Sequence, residues 1–240
     1  MKLLNATAYR LNDFKKSVAI FYLVILCIFL LSFILASVLT VDNINVNGMG
    51  ISTLIFIFVA GLNAFKPYLK MFLQNGISRL SLYLSAILSL LALSLFCSLA
   101  DNLLALIIVG KVNYFSSMFS ALYKPGFLSD FLWTATCYFM VSSFGFFLSV
   151  LYYRMNTLLK VAFSTLVPLF IFVGLPILAV VRPDLNIPQI LGNFLVSALG
   201  LNWSTGVNNP YTAMFSFMMG GAILLALAYP LIHRATLEDV

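Results

Sequence analysis

The stretch Phe65-Lys66-Pro67-Tyr68-Leu69-Lys70-Met71-Phe72-Leu73-Gln74-Asn75-Gly76-Ile77-Ser78-Arg79 decides how this chain is read, because it is a short basic interruption between two long apolar runs. Ile51 to Phe65 precedes it and Ser81 to Gly110 follows. A hydrocarbon core about 30 Å thick is crossed by roughly 20 helical residues, so Ile51 to Phe65 is short by itself and is expected to continue to about Leu69, past Lys66. Within the interruption, Pro67 suits the first turn of a new helix, and Tyr68, Met71 and Phe72 share an apolar face. Asn75-Gly76 then terminates the helix and Ser78 caps the next one. A short helix over Lys66 to Gln74, lying across one membrane face and presenting aromatic and basic side chains, is the expectation.

Outward from this point the pattern repeats. Val18 to Thr40, Phe131 to Tyr153, Val161 to Val181 and Tyr211 to Ile232 are further apolar runs of spanning length. The chain of 240 residues is 62% hydrophobic and 8% charged, with a mean hydropathy of +1.07. Soluble domains carry about 25% charged residues, so the bilayer is the main solvent here. The fold class is therefore all-α, a polytopic membrane protein with six transmembrane helices in a single domain over 1–240. No connection between spans approaches the roughly 50 residues of an independent catalytic domain.

The formal charge of +6 is distributed by side. If all six runs cross, Lys2, Arg10, Lys15, Lys16, Lys66, Lys70, Arg79, Arg154, Lys160 and Arg234 lie on one side, and only Lys111, Lys124 and Arg182 on the other. By the positive-inside rule both termini are cytoplasmic, and the basic residues set orientation rather than bind nucleic acid. Asp42, Asp101, Asp130 and Asp184 fall at or beyond the outer ends. Cys27, Cys97 and Cys137 sit within spans and imply no disulfide framework. The polar, amphipathic start and the absence of a small-residue cleavage site argue that the first span is retained.

On a helical wheel Leu3, Leu4, Thr7, Leu11, Phe14 and Val18 form one arc, with Lys2, Asn5, Tyr9, Asn12, Asp13 and Lys16 opposite. That pattern predicts an interfacial helix over Lys2 to Lys16, with Leu4, Leu11 and Phe14 in the inner leaflet and Lys2, Arg10 and Lys16 near anionic headgroups. The chain then bends into the first span near Lys16 or Ser17. An ordinary basic flank that fixes orientation is the alternative.

Val41 to Gly50 is a tight outer turn, and Lys111 to Asp130 reads as a surface-hugging segment. Ser81 to Gly110 is longer than a membrane requires and either tilts or projects. Asp101 lands near its outer boundary; a carboxylate facing a water-filled seam is the functional alternative. The fifth span contains Pro168, Gly174 and Pro176, which mark either a moving, pathway-lining element or a static kink. Ile187 to Leu201 is apolar but too short and glycine-broken for a crossing, and is expected to form an outer re-entrant or interfacial helical pair ending at Trp203. Gly220-Gly221 permits close helix approach in the last span.

Several chemistries lack their residues. His233 is the sole histidine and sits at the cytoplasmic end of the last span, so zinc, haem and serine-hydrolase sites are not supported. There is no G-x-x-x-x-G-K-[ST] phosphate loop, no arginine ladder within a span and no T-V-G-Y-G filter. The spans carry almost none of the buried acids usual in an ion-coupled carrier.

The order of elements resembles the membrane subunits of ABC transporters of the type-2 permease family, the half-transporters of the exporter fold called type V. The resemblance rests on the basic N-terminal helix (Lys2 to Lys16), the short helix between the second and third spans (Lys66 to Gln74) and the outer pair (Ile187 to Leu201). The Phe-Leu-Gln-Asn-Gly-Ile-Ser-Arg stretch looks like the segment following the coupling helix in many permeases of Gram-positive bacteria. The resemblance implies a bacterial plasma-membrane subunit that pairs with a second permease subunit, as a homo- or heterodimer, above two separate ATPase subunits. ATP and Mg would be bound by those subunits, and no cofactor by this chain, which is not itself an enzyme. Lys66, Tyr68, Lys70, Met71, Phe72 and Arg79 would then form the ATPase-coupling surface: Tyr68, Met71 and Phe72 fill a groove, and the basic residues orient the contact or hold headgroups. An apolar pathway suits an amphipathic or lipophilic cargo such as an antimicrobial or cytolytic peptide, a bacteriocin or a drug-like toxin. The alternative is a non-transporting immunity, sensor or substrate-binding subunit of the membrane.

Overall fold

The computed structural model describes residues 2–39, 49–109, 118–120, 122–124, 126–182, 186–201 and 208–233. Among these, the structure is helical with no strand. The elements are α1 (Lys2–Leu39), α2 (Met49–Asn63), α3 (Lys66–Gln74), α4 (Arg79–Val109), α5 (Phe127–Arg154), α6 (Thr157–Leu169), a π-helical turn (Phe170–Gly174), α7 (Leu175–Val181), α8 (Ile187–Ala198) and α9 (Pro210–His233). Among the described residues six helical segments are long and apolar enough to cross a membrane, the second being α2 and α3 taken together and the fifth α6, the π turn and α7. The outer turn at 41–48, Lys111, Asp184, Trp203 and Arg234 lie outside the described residues.

The bundle is organised around α5, which packs against α2, α4 and α9, while α1 lies along α4. Small residues make the close approaches. A Cβ on Gly61 of α2 would collide with the Ser142 carbonyl oxygen of α5, and a Cβ on Gly145 with the Phe58 carbonyl oxygen of α2. The two glycines thus admit each other's backbones, the packing that apolar side chains alone do not drive in lipid. Ser85, Ser89, Ser94 and Ser98 form a buried line on α4. The first three return their hydroxyls to carbonyls of α4 itself, so small polar side chains are buried at little cost. Ser98 instead donates to the Phe131 carbonyl of α5 at 2.7 Å.

Lys66, Arg79 and Lys160 gather at one end of the bundle with the C-terminal ends of α5 and α9. Arg79, opening α4, donates to the carbonyl of His233, which closes α9. Phe65, at the α2–α3 corner, stacks edge-on against Tyr153 near the end of α5. At the far end, Phe119 and Tyr123 pack with Trp133 of α5 and Met214 of α9. The Tyr123 hydroxyl donates to the Leu199 carbonyl, and burial holds its phenol above the ordinary range. The segment expected to hug the surface thus tucks two aromatics into the end of the bundle.

Three expectations are corrected and one is refined. First, α1 is continuous through Lys16 and Ser17, because neither Gly nor Pro interrupts it; residues 2–16 are its first turns, not a separate helix. Second, the stretch is divided, since α2 stops at Asn63 and Leu69 belongs to α3; the segment long and apolar enough to cross, Gly50–Gln74, runs past Lys66 as expected and takes in both helices. Third, Ile187 to Leu201 yields one helix, α8, where a pair was expected: Gly200, at φ 61, turns the chain before a second could form. Fourth, Asp101 is not at an open boundary: it is 8% exposed, in the packing between helices.

The fifth span stands apart. None of the residues of α6, the π turn, α7 or α8 is buried. Pro168 and Pro176 bracket the π turn, where two missing N–H donors break the regular ladder and the helix re-registers by widening. Gly174 closes that turn, where a methyl group would stand 3.1 Å from the Phe170 ring.

Candidate functional site

The short basic stretch folds into a tightly built corner. Pro67 occupies the first turn of α3, where its missing N–H is no loss. Its C-terminus is a Schellman closure: Ile77 N–H donates to the Phe72 carbonyl at 3.0 Å and Gly76 N–H to the Leu73 carbonyl at 3.1 Å, with Gly76 at φ 69. The Ser78 hydroxyl then accepts from the Ser81 N–H at 3.2 Å and caps α4. Start, stop and cap each fall where the residue types place them.

The orientation of α3 differs from the expectation. Tyr68, Leu69 and Phe72 point inward and are 4%, 2% and 3% exposed. Lys66, Pro67 and Lys70 face out, and Met71 and Leu73 lie half-buried at the edges. The surface open to a partner is therefore basic with an apolar margin. Tyr68 and Phe72 do not fill a groove on another protein, because their own bundle already covers them.

What covers them is Arg10, a fully buried residue of α1. Its guanidinium carbon lies 4.2 Å from the centre of the Tyr68 ring and 5.1 Å from that of Phe72. One terminal nitrogen donates to the Ala64 carbonyl, at the point where α2 ends and its carbonyls lack helical partners. Nε donates to the Ser85 hydroxyl at 3.2 Å, and the second terminal nitrogen reaches the Leu82 carbonyl at 3.5 Å. The planar fork thus ties α1 to α2 and α4 while its faces meet the aromatics of α3. The Tyr68 hydroxyl donates to Asp13 at 2.6 Å, and Tyr9 sets its ring edgewise against Tyr68 and Phe72. A buried guanidinium is tolerated because carbonyls, a hydroxyl and two π faces replace its water.

Arg10 consequently does not sit among headgroups. The buried stripe of α1 is Ala6, Arg10, Phe14, Val18 and Ile25: it keeps Phe14 and Val18 of the expected apolar arc and is rotated from that arc toward Ala6 and Arg10. Leu4 is 69% exposed, Leu11 half-buried and Lys16 exposed; the Lys2 side chain lies outside the described set. Arg79 is half-buried and engaged with the end of α9, so it is a joint of the bundle. Pro168, Gly174 and Pro176 are on the separate fifth span, away from this corner.

A second polar knot lies deeper. Asp101 of α4 accepts hydrogen bonds from Tyr22 of α1 at 2.8 Å and from Tyr138 of α5, and Thr53 of α2 also bonds to it. The Tyr22 hydroxyl reaches the Cys97 carbonyl at 3.1 Å as well. Tyr138 is eight residues below Asp130 along α5, about 12 Å of helix, so the carboxylate is well inside the bundle. One acid thereby joins α1, α2 and α5 to its own helix, α4. The sequence marks Asp101 as unusual, but the partners that hold it come from three distant segments.

Among the described residues no cluster of three or more His, Cys, Asp or Glu side chains stands ready for a metal ion. No family model, no curated protein and no solved structure matches the chain, so the arrangement of its own residues carries the functional argument.

Proposed function

We propose that this chain is the membrane-spanning permease subunit of an ATP-driven exporter of the ABC type-2, type V kind, with both termini cytoplasmic in a bacterial plasma membrane. In this reading two permease subunits pair, and two separate ATPase subunits supply ATP and Mg chemistry from below. Their cargo is amphipathic or lipophilic, an antimicrobial peptide being one such molecule.

The observation that carries the reading is α3: nine residues fixed at both ends, clamped from within by Arg10, with Lys66 and Lys70 turned outward. A loop that only connects two spans needs no such rigidity. A lever that transmits the motion of a docked engine does, since compliance at the contact would dissipate the displacement. The fifth span adds support, because an apolar helix without a buried residue suits a subunit whose packing is completed by another chain. Docking runs through the basic face of α3 rather than through Tyr68 and Phe72.

The test is co-expression with any ABC-type ATPase found encoded beside this chain, followed by reconstitution and measurement of cargo-stimulated hydrolysis. Lys70→Glu is expected to lower that stimulation by about tenfold with insertion unchanged, as rim charges set docking and its salt dependence. Unaltered stimulation, or no ATPase that co-purifies, removes the exporter reading and leaves the immunity or sensor role.

A further inference from the structure

A crevice of about 570 Å³ opens between α2, α5 and the start of α6 at the basic end of the bundle. Phe58 and Leu62, one helical turn apart on α2, line one wall together with Lys66, which opens α3. Leu148, Ser149 and Tyr152 form the facing wall, and Lys160 of α6 closes the lower rim. No carboxylate lines it. Lys160 is half-buried and Lys66 exposed, and neither forms an ion pair among the described residues.

The polarity of this space is graded along the bundle axis. Its upper part is phenylalanine and leucine, its middle offers the Ser149 hydroxyl, and its lower rim carries two ammonium groups. An amphiphile whose tail points into the bilayer and whose head is anionic matches that order, and a cationic amphiphile does not. The volume is that of a small-molecule site and is open at the side, so it admits a single chain from the membrane. Packing gives a second reason. The wall made by α6 is held to α5 through Tyr152, whose hydroxyl meets the Ser164 hydroxyl at 2.8 Å and whose ring meets Phe163 at 5.7 Å. No residue of α6 is buried, and the contacts made by Tyr152 leave space beside the helix for a molecule of the bilayer to fill.

We propose that the crevice binds one anionic phospholipid of the adjacent leaflet, with its phosphate between Lys66 and Lys160 and an acyl chain against Phe58, Leu62 and Leu148. The site does not depend on the transport reading, since binding is measured without an ATPase. It adds a role for Lys66, which both completes this rim and faces outward on α3.

The experiment is photolabelling of the full chain in vesicles doped with photoreactive phosphatidylglycerol or phosphatidylcholine of identical tails, with the labelled residues mapped by mass spectrometry. Phosphatidylglycerol is expected to label residues 58–66 and 148–153 about tenfold more strongly than phosphatidylcholine, and Lys66→Gln with Lys160→Gln to remove the difference, as two lysines near an anionic surface warrant. Leu148→Trp, which fills the apolar wall, is expected to suppress labelling with both lysines in place. Arg154→Gln, outside the lining, is expected to change nothing. Equal labelling by the two lipids, labelling that survives the double lysine variant, an equal loss in Arg154→Gln, or displacement by millimolar inorganic phosphate alone each overturns the proposal. The last of these would assign the rim to a free anion.

Discussion

Tyr22 and Asp101, 2.8 Å apart at the hydroxyl–carboxylate contact, fasten the first span to the third inside the bundle, where Tyr138 reaches the same acid from α5. Removing the acid takes the carboxylate acceptor from both phenols and leaves Tyr22 the Cys97 carbonyl and Tyr138 its bond with Thr53. Losing a hydrogen bond to a charged group costs about 1.5–3 kcal/mol, so Asp101→Ala is expected to be more disruptive than Asp101→Asn, which keeps one acceptor oxygen. Thermal unfolding in detergent followed by circular dichroism ranks the two. Equal midpoints would show that the tyrosines find other partners.

At the α2–α5 crossing, Gly61→Ala and Gly145→Ala each force the two backbones apart, at an expected cost of about 1–3 kcal/mol. Because both substitutions relieve one contact, the double variant is expected to cost less than the sum of the singles. Gly192→Ala on α8 is the control, since its added methyl would meet nothing within 4 Å. The same unfolding measurement reads all four.

Arg10 holds α3 by its planar faces as well as by its charge, so Arg10→Lys is not conservative here. A cysteine placed at Leu69, 2% exposed, is expected to resist a polar maleimide in the otherwise unchanged chain. It should become labelled with Arg10→Ala, and to an intermediate degree with Arg10→Lys. Protection that persists in both variants would move the anchor of α3 elsewhere, to the Tyr68–Asp13 bond first.

The π turn between Pro168 and Pro176 owes its widened register to two absent donors. Restoring them with Pro168→Ala and Pro176→Ala is expected to return the span to a regular helix and to raise its protection from amide exchange. On the exporter reading proposed above, a span that moves with its cargo predicts that transport in vesicles falls while ATPase binding stays level. Unchanged transport would make the irregularity a static kink.

Much of the architecture was legible because it follows from local rules. Apolar runs of spanning length, Pro67 at a helix start, the Asn75-Gly76 stop and the Ser78 cap each depend on a few neighbouring residues, and the structure contains all four. Arg10 was misplaced for a physical reason: a helical wheel sends every charge to solvent, and nothing local reveals that Ala64, Leu82 and Ser85 replace the water around it. The inward turn of Tyr68 and Phe72 was hidden for the same cause. An aromatic face on a short membrane-surface helix looks identical whether its cover is another protein or the first helix of its own chain. The glycines of α2 and α5 escaped notice because a close approach shows only once both backbones are in place.

That pairing of Gly61 with Gly145 bears on how the protein is made. The second helix leaves the ribosome long before the fifth, and in the interval its contact surface has only lipid or the insertion machinery against it. The Arg10 corner can join α1, α2, α3 and α4 before then, but the crossing of α2 with α5 closes only once α5 arrives, and a nascent chain truncated before residue 145 is expected to be cleared by membrane proteases rather than accumulate.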